Sequence, residues 1–141
     1  MSTPHRYVVG IAFAEDLRTV LFIRKNRPEW QAGLLNGVGG KVEPGEDFLP
    51  AMVREFREET GLTVPPEKWC HVVTYFGPDY EMRFFYTATD DVFDAQDMTD
   101  EPLERHDIGA LMGIPVIPNL RWVVPLCLDR NLALPVVVRK P

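Results

Sequence analysis

Cysteine is scarce in this chain. Cys70 and Cys127 are the two present, far apart and outside any CxxC spacing. That excludes a disulfide framework and a cysteine-built zinc site, and both thiols are expected to be reduced and partly buried. Long apolar runs are also missing. The opening MSTPHRYVVGIAFAED holds a run far too short to cross a bilayer and lacks the pattern of a cleaved signal. A cytoplasmic location without membrane contact is the expectation. Positive charge is in deficit, with 15 Lys and Arg against 21 Asp and Glu, a formal net charge of −6. A protein that holds a nucleic-acid duplex through its phosphates needs the opposite balance, so no duplex partner is expected. Repeats, low-complexity tracts and linkers are absent, which points to one domain spanning residues 1–141. What is present is enough to build a core: 45% of residues are apolar and 11% aromatic.

The β-branched and aromatic runs RYVVGIAFA (Arg6–Ala14) and TVLFIRK (Thr19–Lys25) predict a strand pair. NRPEWQAGLLNGVGGKVEPGE is rich in Gly and Pro and predicts a long loop with a short strand inside; loops of that length in compact domains usually serve function. A helix follows, with Asp47 as N-cap, Pro50 in the first turn and Gly61 as its stop. HVVTYFG and YEMRFFYTAT predict a hairpin around GPD. Residues Asp90–Asp107 carry eight acids against one arginine and predict a solvated connection. NLRWVVPLCLDR predicts a second helix with Asn119 near its start, and LALPVVVRKP a final strand or tail. Strands flanking helices indicate an α/β class with a mixed sheet between helices.

The first of these helices is unusual in its charge. Phe48, Met52 and Phe56 recur at i, i+4, i+8, a core-facing stripe. Opposite them Glu55, Glu58 and Glu59 share one face at i, i+3, i+4. Like charges at that spacing cost an isolated helix roughly 0.2–0.5 kcal/mol per pair. An Arg54–Glu58 pair on a solvated face would offset part of this, but does not explain why the acids gather beside a glycine-rich loop. Hard divalent cations do. Magnesium takes a few carboxylates, keeps waters, and accepts substrate phosphates in its remaining positions.

The spacing then completes a pattern. Gly40, five residues, Glu46, seven residues, then REFREETGL fits the Nudix box at each defining position: Gly40, Glu46, Arg54, Glu55, Glu58, Glu59 and Gly61, with apolar Phe56 and Leu62. Strand order and length also resemble a minimal Nudix domain. The resemblance implies an α/β/α sandwich with a mixed β-sheet and Mg²⁺-dependent hydrolysis (Mn²⁺ as a substitute) of a nucleoside diphosphate linked to a further group. It implies Glu55, Glu58 and Glu59 as metal ligands, with the Gly40 carbonyl adding another. Arg54 would orient the carboxylates, and Glu46 would brace the loop–helix joint. The general base would be a box glutamate or an acid from a later loop, where Glu101 is the candidate for a ligand or base and Asp100 the second.

Substrate identity stays open at this stage. LLNGVGGKVEPGE resembles oxidised-purine nucleoside triphosphatases of the same family, with Asn36 before the run that ends in Lys41. IPNLRWVVPL resembles a later segment of those enzymes, but Asn119 stands where they place a base-reading aspartate. Asn36, Lys41 and Asn119 are therefore substrate-binding candidates. Trp30 in the loop would stack on a base, and Trp122 would line the pocket or pack in the core. Pro78 and Tyr80 resemble residues of ADP-ribose and dinucleotide-polyphosphate hydrolases respectively, but turn and strand residues around GPDY are the favoured reading of both. The expectations are a triphosphate pyrophosphohydrolase, with an oxidised purine such as 8-oxo-dGTP as one substrate; hydrolysis of ADP-ribose or another nucleoside diphosphate derivative; or a non-catalytic nucleotide-binding module. Monomer and homodimer remain equally open.

Overall fold

The computed structural model describes residues 4–141. Its centre is β1 (His5–Phe13), a nearly continuous apolar strand. Such a strand suits a position covered on both faces. Val8 and Ala12 point to one core, with Met52, Phe56 and Trp69. Val9, Ile11 and Phe13 point to the other, with Leu120, Val123 and Val124. The first core lies under α1 (Phe48–Thr60) and the second under α2 (Leu120–Leu128). This is the mixed-sheet α/β/α arrangement that the sequence implied.

Along β1 the ladder divides. β4 (Val38–Lys41) pairs antiparallel with Tyr7–Gly10, and β2 (Thr19–Arg24) with Ala12 and Phe13. On its other side β6 (Tyr80–Ala88) runs parallel over the whole strand. β5 (Cys70–Phe76) forms the expected hairpin with β6, and β8 (Val136–Arg139) closes that edge in parallel. β2 also pairs with β3 (Leu35–Asn36) and β7 (Leu103–Asp107).

One expectation needs correction, and a second holds in position though not in its side-chain bond. The acidic stretch from Asp90 is not merely a connection, because it contains β7. That strand is legible only in its pairing: Glu104 ion-pairs with Arg24 of β2, and Asp107 with Arg18 just before β2. Asp47 occupies the N-cap position of α1, yet its side chain makes no capping hydrogen bond. The other end behaves as expected. Gly61 adopts φ 75°, a left-handed conformation that glycine enters without Cβ strain, and its N–H closes on the Arg57 carbonyl. The long glycine loop contains two short strands and a 3₁₀ turn over Glu29–Gln31.

Candidate functional site

Arg54 is the hub of the acidic helix. Its Nε and Nη2 donate to the two oxygens of Glu46 at 2.8 and 2.9 Å. Nη1 reaches Glu55 Oε1 at 3.0 Å and Glu58 Oε2 at 3.2 Å, and Nη2 also donates to the Lys41 carbonyl. The bidentate hydrogen bonds from Arg54 hold the Glu46 carboxyl down to about 2, and the same bonds raise Arg54. One guanidinium thus stitches the loop to the helix and sets two of the three helix carboxylates.

Burial pushes the Glu55 carboxyl up, and outweighs the hydrogen bond from Arg54 that works against it. Burial likewise raises Glu59, helped by the negative charge of Glu55. Glu59 Oε2 accepts from Thr99 Oγ1 at 3.3 Å. Glu58 is half exposed. Among the described residues, no three acidic, imidazole or thiol groups converge around one point. The reason lies in the partners: Arg54 draws Glu55 and Glu58 to one side, and Thr99 holds Glu59. The trio shares a face without being gathered.

This face suits a hard divalent ion. Its donors are carboxylate oxygens, and two of them carry charge that burial opposes and a cation would relieve. A backbone cradle is present as well. A Cβ at Gly40 would lie 2.6 Å from Glu55 Oε1, so only glycine lets the carboxylate come this close to β4.

Beside it opens a cleft of about 780 Å³. Asn36, Gly40, Lys41, Trp30 and Asn119, all singled out from the sequence, line it. Trp30 is 66% exposed on its 3₁₀ turn, as a stacking platform requires. Asn36 Oδ1 accepts from the Gly37 N–H at 2.8 Å, while its Nδ2 faces Gln31 Oε1 at 3.4 Å. Asn119 holds the N-cap position of α2, but its side chain makes no capping hydrogen bond. Its Oδ1 is buried and, among the described residues, has no hydrogen-bond partner. A buried carbonyl left without a donor costs about 1–3 kcal/mol.

Three expected placements are corrected. Trp122 does not line the cleft and is not in the core; it is 37% exposed on the outer side of α2. Glu101 is not a free base. Both of its oxygens are engaged, by Lys25 and by the amides of Asn26 and Arg27. Burial works to raise its carboxyl, but these bonds win and leave it lowered. Asp100, the second candidate, faces the surface paired with Arg27. The sequence reading missed Lys25, Gln31, Tyr7, Tyr75 and Met82 as cleft residues and took Tyr80 as a turn and strand residue; all six line the cleft. Tyr75 and Tyr80 stack at 6.1 Å with planes 10° apart. As expected, Cys70 and Cys127 are free, one partly and one fully buried.

A glutamate-faced helix under a glycine loop, set against a mixed sheet, defines an α/β/α domain with its acidic face beside the cleft. The NUDIX domain model matches residues 3–115, and the chain belongs to that family. Members of this family generally use divalent metal ions. An uncharacterized Nudix hydrolase of Bacillus subtilis (strain 168), YvcI, is 29% identical over 109 residues, covering 71% of this chain and 65% of that protein. The human 8-oxo-dGDP phosphatase NUDT18 is 28% identical, covering 95% of this chain and 46% of that protein. The chain thus spans less than two thirds of the length of these relatives. Among solved structures, MutT from a study of Aliivibrio salmonicida and Vibrio cholerae superposes with TM-score 0.71 at 23% identity, covering 86% of this chain and 97% of that one. The NUDIX domain of Shewanella oneidensis NrtR, solved with ADP ribose, gives 0.75 at 12% identity, covering 94% and 91%. At such identities the likeness concerns the fold. No helix among the described residues is long and apolar enough to cross a membrane.

Proposed function

We propose that this chain is a Mg²⁺-dependent pyrophosphohydrolase that cleaves a nucleoside triphosphate to the monophosphate and pyrophosphate. The observation that carries this reading is the position of Gly40: it lines the cleft, and the Glu55 carboxylate fills the space where a Cβ at that position would lie. A nucleoside held in the cleft therefore sends its phosphates toward the acidic helix. Glu55, Glu58 and Glu59 would hold the magnesium, which supplies charge neutralisation on the phosphates and a water of lowered pKa. Manganese would substitute.

The chain's own groups do the rest. Trp30 stacks on the base. Asn119 Oδ1 lacks a donor, and a base edge presenting an N–H supplies one. Asn36 reads the same edge, and Lys41 meets phosphate charge. Arg54 holds Glu55 and Glu58 at hydrogen-bond distance. Glu59 accepts the proton of the attacking water at Oε1, since Thr99 occupies Oε2. An oxidised purine, which adds an N–H to the base, fits the Asn119 requirement. A second reading, hydrolysis of ADP-ribose or another nucleoside diphosphate derivative, draws on the stacked Tyr75–Tyr80 wall, which offers a further aromatic surface.

A panel of nucleotides with Mg²⁺ and product identification tests both. The triphosphatase reading expects pyrophosphate release from at least one triphosphate, lost at least about hundredfold in Glu59→Gln. Faster cleavage of ADP-ribose than of every triphosphate would establish the second reading. No metal-dependent release from any nucleotide would leave a binding module.

A further inference from the structure

Among the described residues Glu101 is the one buried charged side chain, 5% exposed, and its carboxylate is bonded to Lys25 and to two backbone amides. Its Oε1 accepts from Lys25 Nζ at 2.8 Å. Its Oε2 accepts from the N–H groups of Asn26 at 2.6 Å and Arg27 at 3.3 Å. Those two amides begin the arm that carries Trp30 and Gln31 over the cleft. The far end of the arm is tied back as well: Gly33 N–H donates to the Lys25 carbonyl at 2.8 Å, and Arg24 Nη1 to the Gly33 carbonyl at 2.9 Å. In the other direction, Thr99 Oγ1 accepts from the Glu101 N–H at 3.2 Å and donates to Glu59 Oε2 at 3.3 Å.

We propose that Glu101 is a positioning residue that acts through Lys25 and the amides of Asn26 and Arg27 to fix the Trp30 arm. A charged acceptor on paired backbone amides makes a strong anchor, roughly twice a neutral one. An arm so held presents Trp30 and Gln31 in one geometry, so the nucleotide does not spend binding free energy on ordering them. Removing the clamp therefore weakens binding before it slows chemistry. In its catalytic part this rests on the pyrophosphohydrolase reading.

The test uses the full chain as wild type, Glu101→Gln, Glu101→Ala, Lys25→Met and the Lys25→Met/Glu101→Gln double variant. Glu101→Gln keeps an oxygen for the amides, so its KM should rise about tenfold while kcat stays within about threefold. Glu101→Ala should raise KM further and speed hydrogen exchange at Asn26, Arg27 and along the arm. The double variant should be no worse in KM than the worse single one, because both residues belong to one clamp. A hundredfold fall in kcat at unchanged KM in Glu101→Gln would mark a general base and overturn the proposal. Unchanged KM and arm exchange in Glu101→Ala would overturn it too. Should the wild type hydrolyse no nucleotide, the activity reading falls alone. Affinity for a methylene-bridged triphosphate analogue, with the same exchange measurement, then decides. Weaker affinity with a loosened arm in Glu101→Ala upholds the clamp, and no change in either rejects it.

Discussion

Adding a methyl group at Gly40 isolates the Glu55 carboxylate more cleanly than changing Glu55 itself. The new Cβ would stand 2.6 Å from both Cδ and Oε1 of Glu55, and 2.7 Å from Oε2. Ordinary contact needs about 3.5 Å, so the carboxylate must retreat by roughly 1 Å. What moves is the end of a flexible side chain, so the cost to folding is the weakened bond to Arg54, about 1 kcal/mol. Gly39→Ala makes the contrast. There the Cβ would fall 1.9 Å from the Val8 carbonyl oxygen, which is backbone, and misfolding is expected. Gly40→Ala should therefore melt within a few degrees of the wild type. Its kcat/KM should fall about a hundredfold, the size of effect that a 1 Å misplacement produces. Calorimetric titration should show weaker Mg²⁺ binding. Unchanged rate and ion affinity in a folded Gly40→Ala protein would show that the Glu55 position does not serve the ion.

Glu46 should make stability depend on acid. Arg54 depresses its carboxyl from the ordinary 4.5 to about 2, so its contribution is fully present above pH 4.5 and is lost as pH falls toward 2. The ceiling is roughly 3 kcal/mol, and about 1–2 kcal/mol is expected once partial solvent screening is allowed for. Urea unfolding of wild type and Glu46→Gln should thus differ by that amount at pH 7, by about a quarter of it near pH 2.5, and converge only below pH 2; an equal gap at pH 7 and pH 2.5 would refute the assignment. The two tryptophans should separate under nucleotide titration: Trp30→Ala is expected to raise KM about tenfold, and Trp122→Ala to leave it unchanged. A KM shift in Trp122→Ala would place that side chain at the ligand after all.

The parts that could be read from the sequence are those whose physics is local. The box helix announces itself by 3.6-residue periodicity, and Phe48, Met52 and Phe56 are buried where that period puts them. Trp30 stood out because a large aromatic in a polar loop has no core to enter. Trp122 was open to the same kind of argument. The buried residues of α2 are Leu120, Val123, Val124 and Cys127, an i, i+3, i+4, i+7 stripe, and position 122 lies off it. Other features had no local signal. Tyr7, Tyr75 and Tyr80 alternate along strands whether they face a core or a cleft, because the two-residue period fixes a face and not what lies beyond it. β7 reads LERHD, charged enough to pass for loop, and becomes a strand because β2 offers its backbone and opposite charges across a gap of some eighty residues. Glu101 shows the same limit most sharply. From the sequence it is one acid among eight in an acidic stretch. Its role is set by Lys25, Asn26 and Arg27, which lie 74 to 76 residues away and arrive only when β2 and β7 pair. An acid that looks free to take a proton is thereby turned into one whose lone pairs are already spoken for.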